Sequence, residues 1–385
     1  MEKRIKIADP LAENKRFLDN NMSSKLSMRD FVNSENYINH PNIAQFEQEW
    51  SEFTGLRHVI LTTNGTVALQ LAYNAAAWKL KSPKIKQGDL LKPIIAFVVP
   101  ENTYHADYSA MIWSGTSSIY RGYTYNYILD SYKDCTNTVA DIQEDNIIYN
   151  VTHLYGIPVP KIHFDKVRNT KKNVFIVEDC SHAHYSKVPL VGDVCVWSCY
   201  PTKVLGALGN SGIIATNDDE LAFYLRCIIN QGELPGVRYN PAYQGTNARG
   251  DALQAAFLSI KLSQRDDVIN HRQMIASYYD MIYRKNLVSR MNNDICHYVY
   301  PILLNSKEAR DKIKIELLKK GIETGVYYPT KMGDLAEKFA DKPARPDKPF
   351  QGDKLLCLPV HLGMNKEDAS YVKYVVCVAI DKWDI

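Results

Sequence analysis

Phe175-Ile176-Val177-Glu178-Asp179-Cys180-Ser181-His182-Ala183-His184 is an apolar run that ends in two acids and then turns polar. With Asn173 and Val174 it predicts a strand over Asn173–Val177, covered on both faces, with Asp179 just past its carboxyl end. Open α/β sheets place their ligand sites along that edge. Taken alone, Asp179 reads equally well as a helix-capping residue. His182 and His184 stand two apart with no third ligand nearby, so no metal is expected.

Working outward, similar apolar segments recur at Pro93–Val99, Asn146–Val151, Val194–Ser198 and Gly212–Thr216, and a short one at His58–Leu61. Between several of them lie helical patterns. Ile43, Phe46, Trp50 and Phe53 recur at three- and four-residue steps within 43–54, and Val67–Leu80 and Asp218–Ile229 also read as helices. Strands alternating with helices predict an α/β fold with a largely parallel sheet. After Asp251 the texture changes. Asp251–Lys285 reads as one long helix or two in line, then a strand (His297–Leu304), a helix (Ser306–Lys320) and a strand (Ile322–Tyr328). A Pro/Lys-rich loop (Lys342–Pro349), a short strand (Leu355–Pro359) and a helix (Lys366–Val376) complete a compact α+β unit. We expect a large domain over 1–262 and a smaller C-terminal domain over 263–385.

Composition restricts the partners. The chain has 385 residues, 45% hydrophobic and 23% charged, with a net charge of +3. That is ordinary for a globular enzyme of two domains and offers no broad basic field for nucleic acid or anionic membrane. The basic stretch Lys79–Lys86 is short, contains Pro83 and reads as a solvated loop. The eight cysteines form no Cys-x-x-Cys, and several sit in apolar runs, as reduced thiols in a cytosolic protein would. Met1–Pro10 has no signal-peptide core, and Pro93–Pro100 is too short to span a bilayer.

Two further segments carry chemistry. Thr63-Asn64-Gly65-Thr66 turns from a strand into a helix, whose free N–H groups and partial positive charge suit a phosphate. A plain N-cap explains it as well, and no Gly-Lys-Ser/Thr follows to make it a P-loop. Val196-Trp197-Ser198-Cys199-Tyr200-Pro201-Thr202-Lys203 sets a lysine after another strand. A strand-end acid, a phosphate cradle and a lysine are the three groups that pyridoxal 5′-phosphate (PLP) chemistry needs: a Schiff-base lysine, an acid for the pyridine nitrogen and a phosphate anchor.

In this order the segments resemble the DegT-type sugar aminotransferases, within the fold-type-I PLP enzymes, over roughly residues 37 to 380. The matching pieces are Phe46-Glu47, Asn64-Gly65-Thr66-Val67-Ala68-Leu69, Pro100-Glu101-Asn102-Thr103-Tyr104, His153-Leu154-Tyr155-Gly156-Ile157-Pro158, Glu178–Ala183, Ser198 with Lys203, Gly245-Thr246-Asn247-Ala248-Arg249 and Gln254-Ala255-Ala256. The resemblance implies a mostly parallel central sheet between helices plus a smaller C-terminal domain. It implies that Lys203 bonds the cofactor and moves the proton, and that Asp179 pairs with the pyridine nitrogen. His182 lies near the ring hydroxyl, and Tyr104 stacks on the ring face. Gly65, Thr66 and Ser198 hold the phosphate. Asn247 reaches the cofactor phosphate of the neighbouring subunit in a homodimer with shared sites, and Arg249 is a candidate for a donor carboxylate. The chain departs from the family at Gln231-Gly232 (often His-Gly), at Gly333 after Tyr328-Pro329 (often histidine) and over Gly115–Arg121 (usually a short acidic segment).

The implied activity moves an amino group from an amino acid, glutamate first, to a keto-sugar, nucleotide-linked and aminated at C3 or C4. A free keto-sugar acid or keto-cyclitol is the enzymatic alternative. A PLP-binding regulator without turnover is the alternative from another class, against which Asp179, His182 and Lys203 argue. A dinucleotide-dependent oxidoreductase would need a Gly-x-Gly-x-x-Gly turn, which the sequence lacks.

Overall fold

The computed structural model describes residues 4–15, 17, 31, 33–34, 36–80, 95–114, 118–123, 139–140, 142, 144–283, 286–288, 294–339 and 352–384. The basic stretch from residue 81 onward, residues 93–94, 115–117 and 284–285, Cys135 and the Lys342–Pro349 loop lie outside them. Helix α1 (Pro41–Thr54) leads to β1 (His58–Thr62) and α2 (Gly65–Leu80). Then come β2 (Ile95–Pro100), α3 (Ala106–Trp113), β3 (Ser118–Tyr123), β4 (Asn146–Thr152) and α4 (Lys161–Thr170). Three strands follow, β5 (Asn173–Asp179), β6 (Val194–Ser198) and β7 (Gly212–Thr216), before α5 (Asp219–Ile228).

These seven strands form one sheet in the order β1-β7-β6-β5-β4-β2-β3. Every pairing is parallel except the two made by β7. β2 and β7 are buried along their whole length, so side chains on both faces of the sheet are covered. Helix α2 packs one face, with Ala68, Ala72 and Ala76 against Phe97, Val177 and Val196; α1 and α6 (Ala252–Ser263) cover the other around Trp50, Trp197 and Phe257. This is the expected mostly parallel sheet between helices. Because β1, β2, β4, β5 and β6 run the same way, Thr62, Pro100, Thr152, Asp179 and Ser198 all end at one edge.

The rest of the chain runs through α7 (Arg265–Tyr279), β8 (Tyr300–Leu303), α8 (Lys307–Lys319), α9 (Met332–Phe339), β9 (Leu355–Leu358) and α10 (Lys366–Trp383). β8 and β9 form a separate antiparallel pair, and their apolar residues share a core with α7, α8 and α10. The N-terminal segment joins this part. Ile5 lies in that core, and the buried carboxylate of Glu13 pairs with buried Arg272. Arg272 also donates to the carbonyl of Val360 at 2.7 Å, so the charge is satisfied on several sides.

The element reading needs correction at several places. Asp251–Lys285 is two helices that meet at Gln264. Ile322–Tyr328 is no strand: it makes only the single bridges Ile5↔Ile322 and Gly325↔Cys357. Its last residues turn toward the large sheet instead, where the amide of Tyr328 donates to Asn102 Oδ1 (3.0 Å) and the Tyr155 hydroxyl donates to the carbonyl of Tyr327 (2.5 Å). Long-range hydrogen bonds here override a β-rich local sequence. Among the elements without a sequence expectation are α3, β3, α4 and α9. The helices among them are 8 to 10 residues long, too short for periodicity to declare.

Candidate active site

The carboxyl edge of the sheet opens into a cavity of about 450 Å³, within the usual range for a small-molecule site. Gly65, Thr66, Tyr104, Asp179, His182, Ser198 and Lys203 all line it. They arrive on four separate segments, after β1, β2, β5 and β6, and the parallel sheet brings those segments together.

At one end lies the start of α2. Asn64 caps it: its Oδ1 accepts the amide of Val67 at 2.9 Å. The amides of Gly65 and Thr66 open the first turn, where a helix has no intrahelical partner to give, and where its dipole favours an anion. A Cβ on Gly65 would stand 2.4 Å from Ser198 Cβ, so only glycine lets the turn close on Ser198. Ser198 is fixed in turn, its amide donating to Ser181 Oγ at 3.0 Å. The arrangement fits a phosphate.

Across the cavity Asp179 is 5% exposed and its Oδ1 accepts the amide of Ser181 at 2.9 Å. Burial raises its pKa, opposed by the Ser181 hydrogen bonds and then by the Lys203 charge. His182 is buried and neutral, because burial and then Lys203 push its pKa well below the ordinary range. Its Nδ1 accepts the amide of Tyr155 (3.1 Å), so the ring proton stands on Nε2 and is donated to Tyr328 Oη (3.0 Å). Tyr104, 44% exposed, offers its ring at the mouth.

Lys203 sits in a turn whose closure has two supports. Its own amide donates to the carbonyl of Tyr200 (2.8 Å), and the buried amine of Lys261 donates to the carbonyl of Gly206 (2.9 Å). Lys203 Nζ lies 4.8 Å from the centroid of the Tyr298 ring, a cation–π distance. Burial lowers its pKa to about 8, against the opposing pull of Asp179. A base of that strength is matched to proton transfer near neutral pH. In the cofactor-free protein, trace acylation with peptide mapping should find Lys203 half-reactive near pH 8, about two units below an ordinary lysine. A midpoint of 10 or above would remove this description of the amine.

Two expected residues are not in the cavity of their own chain. Asn247 is exposed beyond it. Arg249 borders a different depression and donates to Asn230 Oδ1 at 2.5 Å. At Gly333, the amide donates to the buried carboxylate of Glu101 (2.9 Å). His153, Glu178 and Cys180 lie close enough together to suggest a metal, but their polar atoms are turned to one another and to amides: His153 Nε2 donates to Glu178 Oε1 (3.0 Å), and Gly192 donates to Glu178 Oε2 (2.7 Å). The structure also adds Asp107, Thr103, Thr152, Tyr298, Tyr327 and Tyr328 to the lining. Tyr328 could have been suspected from its place beside Pro329; Asp107 sits on the unread helix α3 and left no signal.

The model of the DegT/DnrJ/EryC1/StrS aminotransferase family matches residues 20–376. The chain belongs to that family. It is a PLP-dependent aminotransferase, and the anion cradle, strand-end acid and desolvated lysine of its cavity fit that cofactor. A GDP-perosamine synthase of Escherichia coli O157:H7 is 29% identical over 355 residues, covering 86% of this chain and 88% of the relative. A dTDP-3-amino-3,6-dideoxy-alpha-D-galactopyranose transaminase of Aneurinibacillus thermoaerophilus is 31% identical over 312 residues, covering 79% and 80%. Among solved structures, DesV of S. venezuelae, in complex with a ketimine intermediate, superposes with a TM-score of 0.81 at 24% identity, covering 97% of this chain and 98% of that one. At that identity it shows the fold. No helix among the described residues is long and apolar enough to cross a membrane.

Proposed function

We propose that this aminotransferase moves an amino group from glutamate to a ketone of a nucleotide-linked sugar, at C3 or C4, in amino-sugar biosynthesis. The observation that carries the reading is the single cavity uniting Lys203, Asp179 and the Gly65–Thr66–Ser198 cradle. The two curated relatives, whose names specify a GDP-sugar and a dTDP-sugar product, support a nucleotide on the acceptor.

Bound PLP supplies an electron sink that makes the Cα proton of an amino acid removable. The chain does the rest. The first turn of α2 with Ser198 anchors the phosphate, and Asp179 keeps a negative charge for the ring nitrogen. Tyr104 presents a flat face, and neutral His182, its Nε2–H committed to Tyr328, offers a polar edge without adding charge. Lys203 Nζ takes the proton from the donor and returns it. Adding glutamate alone to the PLP-loaded enzyme should change its near-visible spectrum and yield 2-oxoglutarate, and a panel of keto-sugars, read by mass, should then identify the acceptor. No spectral change with glutamate, glutamine, aspartate or alanine would favour a regulator instead.

The homodimer is part of the same proposal. Lys203 is the only lysine or arginine lining the cavity among the described residues, so a donor carboxylate needs a cation from elsewhere. Asn247 is exposed and Arg249 lies outside the cavity of its own chain, which supports a role for them in a neighbouring copy. Mixing Lys203→Ala and Asn247→Ala chains should restore part of the activity, because one hybrid site regains both residues. Proven heterodimers without recovery would refute shared sites. The seven cysteines among the described residues are free thiols, six of them buried, which supports a reducing compartment, the cytosol. We keep the domain division at 262/263, in the last turn of α6 just before it meets α7 at Gln264.

A further inference from the structure

The cavity contains a second carboxyl that the mechanism above does not use. Asp107, in the first turn of α3, is 1% exposed and lines the same cavity as Asp179 and Lys203. Its partners are all uncharged. Thr103 Oγ1 lies 2.5 Å from its Oδ2, the Tyr73 hydroxyl lies 3.5 Å from its Oδ1, and the Asn150 side chain also bonds it. Thr103 Oγ1 is 3.4 Å from Thr152 Oγ1, and Thr152 is the sheet partner of Asp179. A buried polar chain thus runs from Asp107 through two hydroxyls to the residue beside Asp179.

We propose that Asp107 is a positioning residue of this active site, a carboxyl that keeps its proton so that Asp179 carries the cavity's one negative charge. The assignment rests on the reading of the cavity as the cofactor site. The two acids are unequally equipped. Asp179 has the Ser181 amide on its carboxylate and the positive Lys203 in the same cavity, both favouring the charged form. Asp107 has neither. Helix α2 faces it with Tyr73, β4 with Asn150 and Thr152, and β5 with the negative charge of Asp179. Its pKa is raised well above the carboxylate range, by burial first and the charge of Asp179 second, which outweigh the opposing hydrogen bonds of Thr103, Tyr73 and Asn150. Two carboxyls sharing one dry site cannot both ionise cheaply, so their titrations are pushed apart. As an acid, Asp107 can donate to Thr103 Oγ1, which can donate on to Thr152 and hold the loop that carries Tyr104.

Infrared spectra of the cofactor-free protein test this without reference to catalysis. Wild type at pH 7 should show the carbonyl stretch of a protonated carboxyl, and Asp107→Asn should lack it. In Asp179→Asn the same band should titrate at lower pH than in wild type, by about one unit or more, since a like charge has been removed. Stability has a matching sign. A folded pKa above the unfolded one adds stability at low pH that is lost as pH rises through the folded value. Cofactor-free wild type should therefore lose melting temperature relative to Asp107→Asn as pH rises beyond the usual carboxylate range. Absence of the band in wild type at pH 7, or its survival in Asp107→Asn, overturns the assignment. A band whose titration ignores Asp179→Asn overturns the coupling. Neither outcome bears on whether glutamate is the donor.

Discussion

Asp179→Asn, loaded with PLP, should deaminate glutamate in a single turnover about 10²- to 10³-fold more slowly than wild type. The substitution preserves shape. An asparagine Oδ1 can still accept the amide of Ser181, which Asp179 accepts at 2.9 Å, so the turn after β5 has no reason to move. What is lost is the charge. A carboxylate beside the ring nitrogen favours the protonated ring, the form able to take up electron density. Removing one partner of a buried charged pair costs about 3–5 kcal/mol. If most of that falls on the transition state, at about 1.4 kcal/mol per tenfold in rate, the loss is two to three powers of ten. Retention of the cofactor should suffer less, because the cradle at Gly65, Thr66 and Ser198 is untouched. A rate within about threefold of wild type, roughly 0.7 kcal/mol on the same scale, would reduce Asp179 to a capping residue.

Lys203→Ala should lose at least about 10⁴-fold in the same reaction, since a positioned base is worth 10²–10⁴ and the covalent anchor goes with it. Borohydride should fix the cofactor to Lys203 in wild type and to no peptide in the variant. Stability separates this loss from misfolding. The folded pKa of Lys203, about 8, lies below its ordinary value, so the folded state binds fewer protons between the two. Stability of the wild type therefore rises with pH across that window, and below pH 8 the desolvated ammonium is a cost. Cofactor-free Lys203→Ala should melt at or above wild type at pH 7, and the difference should narrow as pH passes 8. A variant that melts well below wild type at pH 7 would mean that Lys203 holds the turn rather than the chemistry. Label on another lysine would refute the assignment outright.

Much of this was legible beforehand because strands buried on both faces are written as unbroken apolar runs. Asn173–Val177, Val194–Ser198 and Gly212–Thr216 declare themselves in that way, and the polar residues that interrupt them mark the sheet edge where Asp179, Ser198 and Lys203 stand. The turn before α2 was legible for the same reason. Helix α3 was not: eight residues between two strands carry too little periodicity, so Asp107 went unseen with it. Ile322–Tyr328 was misread because β-branched and aromatic residues suit a strand and a cavity wall alike.

By itself, then, the sequence determined the element types along the sheet, the family, and the residues whose chemistry depends on a local turn: the glycine that lets a helix start against Ser198, the acid after a strand, the lysine after the next. Tertiary structure alone decided what those groups feel. The desolvation that brings Lys203 to about 8, the tyrosines Tyr298 and Tyr328 that arrive from the far end of the chain, and the division of charge between Asp107 and Asp179 all arise from burial and from neighbours distant in sequence. Local pattern records which face of an element is apolar. It does not record which other element will cover that face, and the electrostatics of a site is set by the covering.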